Sequence, residues 1–542
     1  MGQMKTPGVY IVEKSAFPNS VVEAPTAIPA FVGITEKAQN GADSLSGKPW
    51  KITSMTEFQQ YFGGAPAPEF ELSVDDAPQG DGASPFYYVD SVHTGSDGKK
   101  KRLSVNDKSL PFSLYYHMVM FFANGGGTCY IVSVGTYAEK MPVDKAKVTA
   151  ALASLKKEQE ITMVVVPEAA STPDCKDIQT QMLAHCGEMM NRFAILDVQP
   201  KAAENETMDV QINTFRTNVG ANFLSYGAAY YPWLNTSVLS DKDIDGSVLT
   251  WNFKLPAPDV ALFFDEKSKF PEYFKQTFEA IAGSADSGQQ TESSEEADAE
   301  NKEKDTQTDK PNGKALNDNE VAALKTNLHN AMLQNFPGYQ YIVNKVKDKL
   351  NLLPPSAAMA GLYTMVDNTR GVWKAPANVS VNYVNSPQET IDNAQQEDLN
   401  MPMNGKAVNA IRTFPGEGIK VWGARTLDGN SQDWKYVNVR RTMMFLEESV
   451  KNAAKAYVFE PNVAATWMNV RSMIDNFLRG VWKRGGLAGS TPEDAYEIHV
   501  GLGDTMTAND ILDGIMRITV LVAITRPAEF IEITFQQQMQ KS

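Results

Sequence analysis

The sequence predicts a multidomain mixed fold, α+β with an α/β middle, carrying an extended β-forming arm at each chain end. Three observations predict it. Thr162–Pro167 and Phe193–Asp197 are apolar runs joined by a helical stretch over 175–191, the pattern of a βαβ unit whose strands are covered on both faces. Residues 405–542 carry strong helical periodicity followed by short strands. Val9–Val12 and Glu529–Phe535 combine β-formers with nearby Pro. With 542 residues, 42% of them hydrophobic, the chain can bury a large core divided among several domains.

In chain order, Val9, Tyr10, Ile11 and Val12 follow a Pro7-Gly8 turn signal and read as a strand-forming arm. Ala30–Ile34 reads as a short strand. Ser54 or Thr56 can cap a short helix that Gly63-Gly64 stops. Residues 65–110, rich in Pro, Gly, Asp and Ser, read as a loop-dominated insertion with a few strands, Phe86–Val89 among them. Leu114–Phe122 fits a buried helix, Cys129–Val134 a strand and Val148–Leu155 a helix. Residues 284–313 hold no aliphatic larger than Ala and no aromatic, and carry six of the fifteen net negative charges, so they read as a solvated loop. Helix resumes near 319 and again over Tyr436–Tyr457. Thr466–Arg484 forms an amphipathic helix with Trp467, Val470, Ile474, Phe477, Leu478 and Val481 on one stripe. Strands at Tyr496–Val500 and Met516–Ile524 follow, then the alternating Glu529, Phe530, Ile531, Glu532, Ile533, Thr534 and Phe535.

The net charge of −15 argues against nucleic-acid binding, because phosphate contacts need a basic surface. Three cysteines with no CxxC pair suggest neither a disulfide framework nor a zinc site, and fit synthesis in a reducing cytoplasm. The longest apolar runs are too short to span a bilayer, so any membrane role is expected to be indirect. No histidine pair has HExxH or HxH spacing, and no phosphate-loop or dinucleotide motif sits in a strand–helix context. Asp241–Gly246 begins like an EF-hand loop, but Asn252 stands where the bidentate Glu is required, so it reads as an Asp/Gly turn. No catalytic residue, cofactor or metal is expected. Two rivals remain: a hydrolase or transferase using the 162–197 region, and a monomeric binding module.

Several stretches together resemble the phage tail sheath proteins. They are Thr6–Ile11, Ala24–Gly33, Phe58–Gly64, Phe121–Gly126, Phe193–Asp197, Tyr230–Trp233, Pro354–Ser356, Ala360–Tyr363 and Arg370–Asn378, and then Trp422–Thr426, Phe459–Asn462 with Trp467, and Arg526–Phe530. They span nearly the whole chain in the family's order. Residues 65–110 and 284–313 lie outside the resemblance.

The resemblance implies a structural subunit of a contractile sheath. It would polymerise helically, alone or with paralogues, around an inner tube, with baseplate and terminal cap proteins as further partners. It implies an inner domain built from both chain ends, here 21–64 and 351–527, with 65–350 inserted as outer domains. It implies that arms 1–20 and 528–542 interlock with neighbouring subunits, and that a basic helix face meets the tube, for which Arg471, Arg479, Lys483 and Arg484 are the candidates. Assembly in a bacterial cytoplasm is implied, followed by incorporation into a phage virion or an extracellular injection particle.

Overall fold

The computed structural model describes residues 21–76, 87–95, 97–202, 205–252, 260, 263, 270–287 and 317–534. The N-terminal arm residues Val9–Val12 therefore lie outside the described residues, as do Phe535 and most of the acidic stretch. The main strands in chain order are β1 (Pro29–Thr35), β2 (Trp50–Ile52), β3 (Phe70–Asp76), β4 (Tyr87–Thr94), β5 (Lys100–Asp107), β6 (Cys129–Thr136), β7 (Met163–Val165), β8 (Phe193–Asp197), β9 (Gly227–Tyr231), β10 (Leu249–Trp251), β11 (Val379–Ser380), β12 (Asn409–Phe414), β13 (Gly418–Val421), β14 (Tyr496–His499) and β15 (Thr519–Val522). The main helices are α1 (Met55–Phe62), α2 (Leu114–Ala123), α3 (Lys145–Leu155), α4 (Cys175–Met189), α5 (Met208–Asn218), α6 (Phe270–Ser287), α7 (Asp318–Asn335), α8 (Pro337–Leu350), α9 (Ser356–Arg370), α10 (Asn393–Asn400), α11 (Val437–Ala454) and α12 (Ala464–Lys483).

A nine-stranded sheet in the order β11-β13-β12-β9-β8-β7-β1-β6-β2 forms the centre. From β6 across to β12 the strands run parallel, and β7-α4-β8 is the expected βαβ unit, with Ala194 opposite Val164. Side chains alternate between two covered faces, as the strand period dictates. Phe31, Ile131, Val165, Ile195 and Tyr230 pack on one side with α2 and α9. Val32, Val132, Val164, Leu196 and Ala229 pack on the other with α3, α4 and α5. This is why these strands read as unbroken apolar runs. Ser54 is the α1 N-cap, its hydroxyl accepting the Glu57 N–H at 3.3 Å, and Gly63 closes the helix at φ +89°.

A second layer corrects the loop expectation for 65–110. There β3 pairs antiparallel with β5 and β5 with β4, while β10 adds to β3 in parallel. Phe70, Leu72, Leu103 and Val105 are buried against Trp251, Phe274, Phe278, Met332 and Tyr339 of β10, α6, α7 and α8. The Pro- and Gly-rich residues 77–86 lie outside the described residues. Residues 284–287, expected to begin the solvated loop, continue helix α6.

The third layer holds α11, α12 and the antiparallel pair β14–β15, with Phe445, Leu446, Val470, Ile474, Leu478 and Ile498 at its core. Val21 packs against it, and the Ala24 N–H donates to Ser449 Oγ at 2.9 Å. The start and the end of the described chain therefore meet here. The central sheet takes strands from 21–64, from 65–350 and from 351–527, so boundaries at 64 and 350 do not divide its core.

Candidate assembly interface

The β14–β15 pair has no third strand among the described residues, with only an isolated bridge from Leu487 to Ile524 just past β15, so each strand keeps one edge without a ladder partner. Between β15 and α11 runs a half-open groove of about 620 Å³, lined by Met189, Met190, Met443, Leu446, Val450, Ile518, Val520 and Val522. Methionine-rich apolar linings repack around varied side chains. Met190 is 55% exposed there with φ +59°, a backbone conformation that costs a branched or bulky residue energy.

The expected basic face of α12 divides in two. Arg471, Arg479 and Lys483 are exposed. Arg479 pairs with Asp475 at 3.2 Å one turn away, and an exposed pair of this kind adds little stability. Arg471 and Arg479 line a cleft with Asp475, Glu493, Glu497 and His499, so acidic groups offset their charge. Arg484 falls about 100° around the helix from Lys483, stacks over Trp373 at 5.2 Å and pairs with Glu23. It braces the N-terminal segment instead of extending the stripe. Among the described residues, Arg471 and Lys483 have no ion-pair partner.

The C-terminal arm begins differently from expectation. Residues 529–534 form no strand, and Phe530, Ile531 and Ile533 are largely exposed. Glu529 is not a free arm residue. Its Oε1 accepts from Arg425 Nε at 2.9 Å and Asn400 Nδ2 at 2.8 Å, and its Oε2 from Arg425 Nη2 at 2.6 Å and the Tyr436 hydroxyl at 3.0 Å. Burial opposes its ionisation, but the bonds from Arg425 and Asn400 outweigh that and hold its carboxyl below the ordinary range. Sequence spacing carries no signal for this clasp, because its partners lie 93 to 129 residues away.

The region named by the enzyme rival is filled. The chain passes from β1 to β6 on one side and to β7 on the other, so the strand order switches at the carboxyl end of β1, where open α/β sheets bind ligands. Glu168 sits there, 1% exposed, accepting the Ser113 and Leu114 N–H groups of the α2 N-terminus at 2.7 and 3.1 Å and the Ile34 N–H at 2.8 Å. A Cβ on Gly33 would lie 2.7 Å from Glu168 Oε2. Asp197, at the end of β8, seats the α9 N-terminus in the same way, accepting the Ser356 N–H at 2.8 Å. Burial raises both carboxyls to about 7. His117 is fully buried with neither ring nitrogen bonded among the described residues, and burial lowers it to about 3, so it stays neutral. Burial pushes the Cys175 and Cys186 thiols up to about 12, away from nucleophilic use. Asp241–Asp243 form a single capped turn with Ser240, and no cluster of three metal-ligating side chains occurs among the described residues.

Two family models tile this architecture. The phage tail sheath protein central domain matches residues 142–427, and the phage tail sheath C-terminal domain matches residues 430–538. The chain belongs to the phage tail sheath protein family, a family of structural sheath proteins. It is 26% identical over 211 residues to the tail sheath protein of Vibrio phage KVP40, and 26% identical over 141 residues to that of Salmonella phage ViI. These matches take in 38% and 26% of this chain but only 29% and 22% of those longer proteins. Among solved structures, the sheath of the extracellular contractile injection system PVC in its contracted state shares 26% identity and a TM-score of 0.56, covering 99% of both chains. The contracted helical sheath of the anti-feeding prophage shares the fold at 24% identity and a TM-score of 0.55, over 99% of this chain and all of the other.

Proposed function

We propose that this chain is a structural, non-enzymatic subunit of the contractile sheath of a phage-tail-like injection particle. It polymerises helically around an inner tube and contracts to drive that tube through a target envelope. The observation that carries this reading is the β14–β15 pair, without a third strand among the described residues, beside an apolar groove, with Val21 and Ile524 both packed on the same layer. An arm from a neighbouring subunit can add to a free edge and seat alternate side chains in the groove, and each added backbone hydrogen bond is worth about 0.5–1.5 kcal/mol net. The alternating Phe530, Ile531, Ile533 and the Val9–Val12 segment have the composition such a strand needs. A head-to-tail contact of this kind does not close on itself and so builds a tube. Contraction is then a switch between two packings of one lattice, with the arms still linked.

Arg471 and Lys483, which have no ion-pair partner among the described residues, are the tube-facing residues on this reading; Arg479 and Arg484 contribute less because they are already paired. Baseplate and terminal cap proteins complete the partner set. The nearly full-length likeness to the PVC sheath favours an extracellular injection particle over a phage virion, with assembly in the bacterial cytoplasm. Electron microscopy of the purified chain, with and without residues 1–14 and 528–542, tests the proposal. Hollow striated tubes from the full chain that disappear on deleting either arm are expected. A stable monomer, even with tube and baseplate proteins supplied, would refute it.

A further inference from the structure

Both arm roots are held by buried arginines, and the two arginines lead to one strand. Arg441 of α11 grips the N-terminal root: its Nη2 donates to the Thr26 carbonyl at 2.9 Å. The same guanidinium forms a bidentate pair with Asp367 at 3.0 and 2.7 Å, with both side chains no more than 3% exposed. It stacks over Tyr363 at 4.7 Å, and the Tyr363 hydroxyl lies 2.7 Å from that of Tyr230 in β9. Arg425 grips the C-terminal root through Glu529. Its own N–H donates to Asn409 Oδ1 at 2.7 Å, and Asn409 Nδ2 donates to the Ala229 carbonyl, again in β9, at 3.2 Å.

We infer that Arg441 and Arg425 are the anchors through which a pull on either chain end is carried into the single central strand β9. The inference rests on reading the termini as subunit-linking arms. The physical reason is one of strength. The arms leave from the β14–β15 layer, a two-stranded sheet that is marginal on its own. Strand β9 is hydrogen-bonded on both edges, to β8 and β12, and fully buried. Linking the arm roots to it lets neighbours pull on each other without peeling the thin layer apart. Two arms anchored on one rigid strand also turn together with the sheet.

The test uses full-length chain assembled into tubes, with the tube protein supplied. Glu529→Gln loosens the C-terminal anchor. Arg441→Met with Asp367→Leu replaces the buried pair by apolar groups and so leaves no unpaired charge. Tyr339→Phe, which removes a comparable buried bond to His329 in the second layer, is the control. Tubes of all three should assemble, but those of the two anchor variants should break into shorter pieces under shear while the control matches wild type. Anchor variants as robust as wild type would overturn the inference and leave the arm reading intact, provided deletion of 528–542 still abolishes tubes. If that deletion leaves tubes unchanged, the arm reading fails, and the load path fails with it. Should the double substitution not fold, Glu529→Gln alone decides, since it removes charge and keeps a hydrogen-bonding side chain of the same shape.

Discussion

In the central sheet, β1 has a parallel neighbour on each edge and side chains buried on both faces. In the pair β14–β15, each strand has one neighbour, and β15 alternates between exposed and half-buried residues. Both regions are rich in Val, Ile and Leu, so composition does not separate them. What separates them is who completes the hydrogen bonding. The interior strands of the central sheet are paired on both edges within the chain, whereas among the described residues each strand of the terminal pair keeps one edge without a neighbour. On the proposed reading, the open edge of the terminal pair is where a neighbouring subunit joins.

The comparison can be broken at either region. Phe31→Ala, in the fully buried strand, should cost about 3–5 kcal/mol in denaturant unfolding, because the cavity cannot collapse under neighbours on both faces. A loss near 1 kcal/mol would mean that the centre is not the rigid body described. Next in size is a pH effect. Glu168 and Asp197 have folded values of about 7, above their unfolded values, so they favour the folded chain below pH 4 to 4.5, and that contribution is lost as pH rises towards 7. Thermal melts across pH 4.5 to 7 should show the decline, and Glu168→Gln should flatten part of it. An unchanged slope in that variant would assign the decline elsewhere. Removing the Ser54 cap as Ser54→Ala should cost about 1 kcal/mol, a local loss that leaves tube formation intact.

The smallest effect on the isolated chain should come from Met190→Asn in the terminal groove. Asn tolerates φ +59° better than Met, so folding stability should hold or rise slightly. Tube formation should nonetheless weaken, because a polar side chain would stand in the path of an incoming arm. Normal tubes from this variant would show that the groove is not where neighbours join.

The same contrast governs what could be read in advance. Strand β8 is legible to the residue and α1 to its Gly63 stop, because burial on both faces and helix punctuation are local patterns, while the choice of Ser54 over Thr56 as cap is made by the structure. The apolar stripe of α12 was equally plain, since Val470, Ile474, Phe477, Leu478 and Val481 recur at helical spacing and are buried. Of the strands at 70–107, the one near Phe86–Val89 is legible in the sequence, but their share of 65–110 is underestimated because their packing partners lie partly beyond residue 240 and Pro, Gly, Asp and Ser dominate the composition. Of the arm residues, Glu529 was legible as chemistry but not as a role, since alternation predicts a strand and only the fold brings Arg425, Asn400 and Tyr436 around it.

The sequence by itself determined the mixed fold, the central βαβ unit, the amphipathic α12 and the likeness to sheath proteins. All of these depend on short-range periodicity or ordered landmarks. Tertiary structure alone decided which charges are free and which are tied: Arg484 to Glu23 across 461 residues, Arg441 to Asp367 across 74 and Arg425 to Glu529 across 104. It alone also decided that Glu168 fills the sheet's crevice and that β14–β15 lacks a third strand among the described residues. A side chain's partner, like a strand's neighbour, is set by contacts between segments 74 to 461 residues apart here, and local spacing holds no record of them.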